Sequence, residues 1–278
     1  MNVIVFGKSS SIFPHLKASL EELGINVYTV SRPRNHILLS TPNAYKDSLT
    51  MLLSSIKAQP CACIYLWHGS SAKSCRIINQ DSPSCKLAYY TAHAIAMSEI
   101  PVYLFSTIKL FENIDNIISG HRDRVNLISD YCKTKKELEN IFTSIAGIHC
   151  KTLRLPGIVA RGSSSSLFSK IYNNMPVEVI INPNSDKPIL TNMFTDVVSL
   201  AKLVKHDVES DSLQAGRPIP IATTEPIDMR KISRNYPNAR IIYSPSFLPI
   251  NVSLAWMPKA TSQVMGSRHV FPRLRASI

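Results

Sequence analysis

Glycine is scarce in this chain, with nine residues in 278, and tryptophan is rarer still, with two. No low-complexity tract, internal repeat or heptad pattern interrupts the sequence. No apolar run reaches the ~18 residues that a membrane span requires. The N-terminus enters a strand directly, without the basic region and long apolar core of a secretory leader. Cys-x-x-Cys pairs are also missing: Cys61, Cys63, Cys75, Cys85, Cys132 and Cys150 stand mostly in or beside apolar elements. Reduced thiols in a cytoplasmic protein are therefore the expectation. Cys61 and Cys63 with His68 make a poor zinc set, because alternating strand positions do not converge tetrahedrally, and no metal is expected. Acidic residues are few, 19 against 31 basic ones, for a formal charge of +12. The basic residues are scattered and no aromatic stacking pattern accompanies them, so nucleic acid is not an expected partner. Anionic small molecules account for the charge as well.

What is present is a chain 45% hydrophobic, long enough to bury a large core. Met1 to Gly7 is a short apolar, β-branched run ending in glycine, which reads as a buried strand reaching a tight turn. Leu16, Leu20 and Leu23 then recur at helical spacing, with Pro14 suited to the first helical turn. Gly24 closes that helix, and Ile25 to Val30 is the next strand. Further helices are expected over 44–57, 87–98 and 131–146, and further strands over 62–67, 102–105 and 150–155. Such alternation predicts an α/β doubly wound parallel sheet. Ligands bind such sheets at the carboxyl ends of the strands, where Gly7, Leu66, Ser106, Thr107 and Leu155 fall.

The chemistry is concentrated in Tyr131-Cys132-Lys133-Thr134-Lys135, with Ser106-Thr107 upstream. Tyr131 and Lys135 stand one turn apart on one helix face. A lysine there favours the phenolate of a tyrosine whose solution pKa is about 10, so that it can act as acid or base nearer neutrality. The bare pattern is common and by itself more often marks an amphipathic surface helix; the order of the surrounding elements gives it meaning.

That order resembles the extended short-chain dehydrogenase/reductases, in particular the NAD(P)-dependent nucleotide-sugar epimerase/dehydratase group, over nearly the whole chain. The resemblance rests on Val3 to Leu16, Phe105-Ser106-Thr107, Ser129 to Lys135 with Glu137-Leu138-Glu139, and Leu153 to Val159. It continues in Asn182-Pro183, Phe194 to Val198, Pro258-Lys259-Ala260 and Met265-Gly266. It implies a Rossmann domain over 1–159 and a smaller substrate-binding lobe over 160–278, with 194–206 packing back onto the sheet. The high proline count, 18, suits a loop-rich second lobe.

It also implies residue roles. Tyr131 would be the general acid/base, Thr107 its hydroxyl partner at the substrate, and Lys135 the residue that binds the nicotinamide ribose and tunes Tyr131. Gly7, Ser10, Ser11, Ile12, Arg32, Leu66, Ser106, Leu155, Pro156 and Ile158 would complete the cofactor contacts, with Gly157 beside them. Read from its residues alone, the segment Arg161 to Ser166 is either a flexible Gly/Ser loop or an approach, through Arg161, to the diphosphate of a nucleotide-sugar substrate. Asp196 is expected to cap a helix. A homodimer through the Tyr131 helix is allowed, using Leu138, Ile141 and Phe142.

Four departures bear on activity. The family turn is Gly-x-x-Gly-x-x-Gly, and this chain has Gly7, Ser10 and Phe13. Trp67-His68 stands where small residues usually flank the cofactor. Where an NAD enzyme places an acid for the ribose diol, this chain has Ser31-Arg32-Pro33-Arg34. Arginine suits a 2′-phosphate, which favours NADP over NAD, while two solvated loop arginines are the alternative. Thr107 is followed by Ile108-Lys109 rather than by carboxylates, which disfavours dehydration and leaves epimerisation or keto-sugar reduction. The competing expectation is a non-catalytic relative that keeps the fold as a binding or scaffold module. The eroded glycine turn supports that alternative, and Thr107, Tyr131 and Lys135 in register oppose it.

Overall fold

A computed structural model describes residues 1–34, 41–56, 61–67, 82–107, 110, 130–155, 157–160, 162–163, 167–181, 191–192, 194–210, 219–220, 227–228 and 236–243. Strand β1 (Asn2–Phe6) is buried along its whole length, as a strand covered on both faces must be. Helix α1 (Phe13–Glu22) begins with Pro14 in its first turn and buries Leu16, Ser19 and Leu20. Gly24 ends the connection at φ +76, and β2 (Asn26–Val30) follows. Next come α2 (Pro42–Ile56), β3 (Cys61–Tyr65), α3 (Pro83–Ser98), β4 (Val102–Thr107), α4 (Asp130–Ala146) and β5 (Cys150–Leu155).

Helix α3 starts four residues before the expected Leu87. The Ser82 hydroxyl accepts from the Cys85 amide at 3.1 Å, and proline occupies the first turn. That cap is polar, so apolar periodicity does not register it.

β1 pairs in parallel with β2 on one side and β3 on the other, and β3 pairs in parallel with β4. With β5 and the two-residue β10 (Ile219–Pro220), the six-stranded order is β10-β5-β4-β3-β1-β2. Chain direction across the sheet reverses at β1 and β3, so their carboxyl ends form the topological switch point. Beneath it, Ile4, Phe6, Tyr65 and Trp67 pack with Leu87 and Ile95 of α3 and with Leu138 and Phe142 of α4. The Tyr65 and Phe142 rings lie 4.6 Å apart between centroids.

The chain divides into two compact units. The first holds 1–107, 127–154 and 201–219; the second holds 108–126, 155–200 and 220–278. In the second unit, β6 (Gly157–Val159) leaves the main sheet and pairs in parallel with β9 (Phe194–Asp196). Pro156, which has no amide to give a ladder, separates β6 from β5 in the sequence. β7 (Val177–Ile181) pairs in parallel with β12 (Ala239–Tyr243), and β8 (Thr191–Asn192) antiparallel with β11 (Ile227–Asp228). Helix α5 (Leu167–Tyr172) follows β6 in the chain. Helix α6 (Val197–Glu209) begins at Asp196, whose carboxylate accepts from the Ser199 amide at 2.7 Å and the Ser199 hydroxyl at 2.6 Å. Its later residues belong to the sheet unit. There Asp207 accepts a hydrogen bond from the Tyr103 hydroxyl of β4 at 3.1 Å and pairs with Lys151 of β5.

Candidate active site

The turn after β1 is built around Gly7, whose φ is +117. A Cβ there would stand 2.8 Å from the Leu66 carbonyl carbon and from the Trp67 amide nitrogen. The Leu66 amide donates to the Phe6 carbonyl at 2.7 Å, so the ends of β1 and β3 meet backbone to backbone. Glycine is required at this position by the protein's own packing. From Gly7 the chain turns twice, Ser10 N–H to Gly7 O and Phe13 N–H to Ser10 O, each at 3.0 Å. Glu99 and Asn174 are the non-glycine residues at positive φ among the described residues, so Ser10 keeps ordinary backbone where the family has glycine. Ile12 precedes α1 and offers no side-chain cap, and Ser11 is exposed.

Phe13 and Trp67 are the two bulky residues at this turn. Phe13 is half-buried at the start of α1, while the helix's buried stripe begins one turn later at Leu16. Trp67 turns its ring into the core, edge-on to Phe6 at 5.2 Å and to Tyr65 at 5.7 Å. Residues 65 and 67 share a face by strand alternation, which carries the indole away with Tyr65. Arg32, at the end of β2, is exposed and donates to the Ser84 hydroxyl at 3.1 Å.

At the end of β4, Ser106 and Thr107 are buried. Helix α4 presents Tyr131 half-buried in its first turn and Lys135, 8% exposed, one turn later. Lys135 Nζ donates to the Phe105 carbonyl at 3.2 Å and lies 5.9 Å from the centroid of the Tyr131 ring. The ammonium is thereby tethered on the helix face that carries the Tyr131 ring.

Two residues that carry no role in the sequence reading complete the arrangement. Glu139 is 1% exposed, one further turn along the same helix face, and Arg154 of β5 is 4% exposed. The Ser106 hydroxyl donates to Glu139 Oε1 at 2.6 Å. Arg154 grips both carboxylate oxygens, Nε to Oε1 at 2.9 Å and Nη2 to Oε2 at 2.7 Å. Lys136 adds a longer contact at 3.8 Å. The spacing 131, 135, 139 was a signal for this, since it continues one helical stripe.

Of the remaining expected residues, some belong to the second unit and some fall outside the described part. Leu155 is buried and Ile158 half-buried in the second unit, where the Ile158 carbonyl accepts from the Ser169 hydroxyl at 3.1 Å. Pro156, Arg161 and His68 are outside the described residues. Leu138, Ile141 and Phe142, offered above as a pairing surface, are instead buried in the chain's own core. Among the described residues no His, Cys, Asp and Glu side chains group as a metal site. No described helix is long and apolar enough to cross a membrane.

Fold and strand order define the class: a Rossmann-type α/β protein. Sequence comparison finds no matching protein-family model and no matching curated protein. Solved structures do match. A UDP-glucose 4-epimerase from Stenotrophomonas maltophila, with bound NAD and formylated UDP-arabinopyranose, superposes with a TM-score of 0.67 at 14% identity, covering 100% of this chain and 98% of that one. A UDP-glucuronic acid 4-epimerase from Bacillus cereus, in complex with UDP-glucuronic acid and NAD, gives 0.64 at 15% identity, over 99% and 97%. A dTDP-4-dehydrorhamnose reductase from Clostridium acetobutylicum gives 0.60 at 14% identity, over 91% and 88%.

Proposed function

We propose that this protein is an NAD(P)-dependent oxidoreductase or isomerase acting on a nucleotide-linked sugar, as an epimerase or a keto-sugar reductase. The observation that carries this reading is the buried Lys135, tethered by the Phe105 carbonyl with its ammonium 5.9 Å from the Tyr131 ring. The structural neighbours, two of which hold NAD together with a nucleotide sugar, support the same class.

Local features at the switch point support a dinucleotide there. The Gly7 turn and the Leu66 backbone are closed tightly by their own packing, Ser10 needs no strained backbone, and Trp67 is withdrawn into the core. Gly7, Ser10, Ser11 and Ile12 would hold the pyrophosphate, and Lys135 the nicotinamide ribose. Leu66, Leu155, Pro156 and Ile158 would supply apolar contacts. Arg32 would meet a 2′-phosphate, which favours NADP, since no acid stands near the end of β2 to take a ribose diol. When bound, the nicotinamide supplies the site that accepts or returns hydride.

The chain's own residues would move the proton. Tyr131, as phenolate stabilised by Lys135, takes the proton from a sugar hydroxyl during oxidation and returns it to the carbonyl oxygen during reduction. Thr107 hydrogen-bonds the same oxygen, and Arg161 would contact the substrate diphosphate. No carboxylate follows Thr107 in the sequence, so the proposed reaction is not dehydration.

Titration with NADPH and NADH, followed by nicotinamide fluorescence, tests the cofactor site, with micromolar NADPH and much weaker NADH binding expected. Tyr131→Phe is expected to lower turnover of a 4-keto sugar nucleotide by about a hundredfold or more while leaving NADPH affinity nearly intact. Full activity in that variant sinks the mechanism. Failure of both nucleotides to bind at millimolar concentration gives the lead to a scaffold function, which the departures at Ser10 and Phe13 favour.

A further inference from the structure

Helix α4 grips the end of β4 residue by residue. Lys135 takes the Phe105 carbonyl and Glu139 takes the Ser106 hydroxyl, immediately before Thr107. Glu139 is itself fixed from the neighbouring strand by the bidentate Arg154, so its carboxylate has a single orientation. A buried carboxylate needs such partners, but packing alone would not require them to converge on the strand end that carries a reacting hydroxyl.

We propose that Glu139 is a positioning residue. Through Ser106 and Arg154 it locks the carboxyl end of β4 in register with the helix face bearing Tyr131 and Lys135, and so sets the Thr107 hydroxyl. This rests on the function proposed above. Hydrogen bonds that hold a reacting group act through geometry, and a displacement of about 1 Å can cost about a hundredfold in rate. Loss of Glu139 therefore lowers the rate of the step and leaves cofactor affinity in place.

Two variants test this. Ser106→Ala removes one hydroxyl and leaves the charges paired. The triple variant Ser106→Ala/Glu139→Leu/Arg154→Met replaces the whole network with apolar groups, which a buried pair often tolerates without loss of stability. With NADPH and a 4-keto sugar nucleotide, kcat is expected to fall about tenfold in Ser106→Ala and further in the triple variant. The melting temperature of Ser106→Ala should stay near wild type. A triple variant that regains wild-type melting temperature and wild-type kcat shows a purely structural network and overturns the proposal. If the triple variant does not fold, Ser106→Ala decides, and unchanged kcat there overturns it.

Amide hydrogen exchange gives a readout that needs neither substrate nor cofactor. Exchange over 102–107 should speed up about tenfold in Ser106→Ala while 1–30 is unchanged. Unchanged exchange over 102–107 overturns the positioning claim even in an active enzyme. Wild-type protein that binds neither nucleotide overturns the functional reading alone, and the exchange result then still decides the role of Glu139.

Discussion

Gly7 and Gly24 both stand at positive φ, yet they answer to different constraints. At Gly24 nothing lies within 4 Å of an added Cβ, so only the backbone conformation resists substitution. At Gly7 a methyl group would enter the backbone of Leu66 and Trp67, which cannot give way without parting the ends of β1 and β3. Gly24→Ala is therefore expected to cost about 1 kcal/mol and Gly7→Ala at least about 2–3 kcal/mol, as read from urea midpoints. Equal losses would mean that the close approach at the switch point is not maintained in solution. Gly7 is legible in the sequence as a strand-ending glycine; the reason for it is not, because Leu66 and Trp67 are distant in the chain.

Among the elements, α6 shows how much one cap can organise. Both carboxylate oxygens of Asp196 are used, one by the Ser199 amide and one by its hydroxyl, at the point where β9 passes into the helix. Asp196→Ala is expected to cost about 1 kcal/mol and Asp196→Asn less, because the amide oxygen still accepts from the Ser199 amide. Chemical denaturation of the three proteins measures both, and a neutral Asp196→Ala excludes the cap as a stabilising feature. This cap was expected from the sequence, whereas the start of α3 was not. Asp196 directly precedes an apolar helical run, while Ser82 precedes a turn whose apolar stripe begins later.

For the whole molecule, the buried core sets the response to alkali. Burial pushes Cys61 up from 9.0 to about 11, and does the same to Cys150, where the Thr152 hydroxyl partly offsets it. Burial also raises Cys63 well above its usual range, and it raises Tyr45 to about 12. Well below pH 9 these groups are protonated in both folded and unfolded chains, so their ionisation does not affect stability there. As pH climbs from 9 towards 11 the unfolded chain releases these protons and the folded one retains them, so stability falls. Denaturant midpoints are expected to fall steeply only above pH 9. The native protein should also react slowly with thiol reagents at Cys61, Cys63, Cys85, Cys132 and Cys150, all of them buried. A flat profile to pH 11 would show that burial does not hold these groups protonated.

The sequence by itself determined the alternation of strands and helices, the parallel sheet, and the Tyr131–Lys135 stripe. Each depends on local period and on residues within a few positions of one another. Tertiary structure alone decided where Trp67 points, what Gly7 must avoid, and that Leu138, Ile141 and Phe142 are spent on the core. It also decided the pairing of Ser106, Glu139 and Arg154, drawn from β4, α4 and β5. A buried carboxylate is satisfied by whichever donors the packed strands bring to it, and that choice is made only when the sheet closes around the helix.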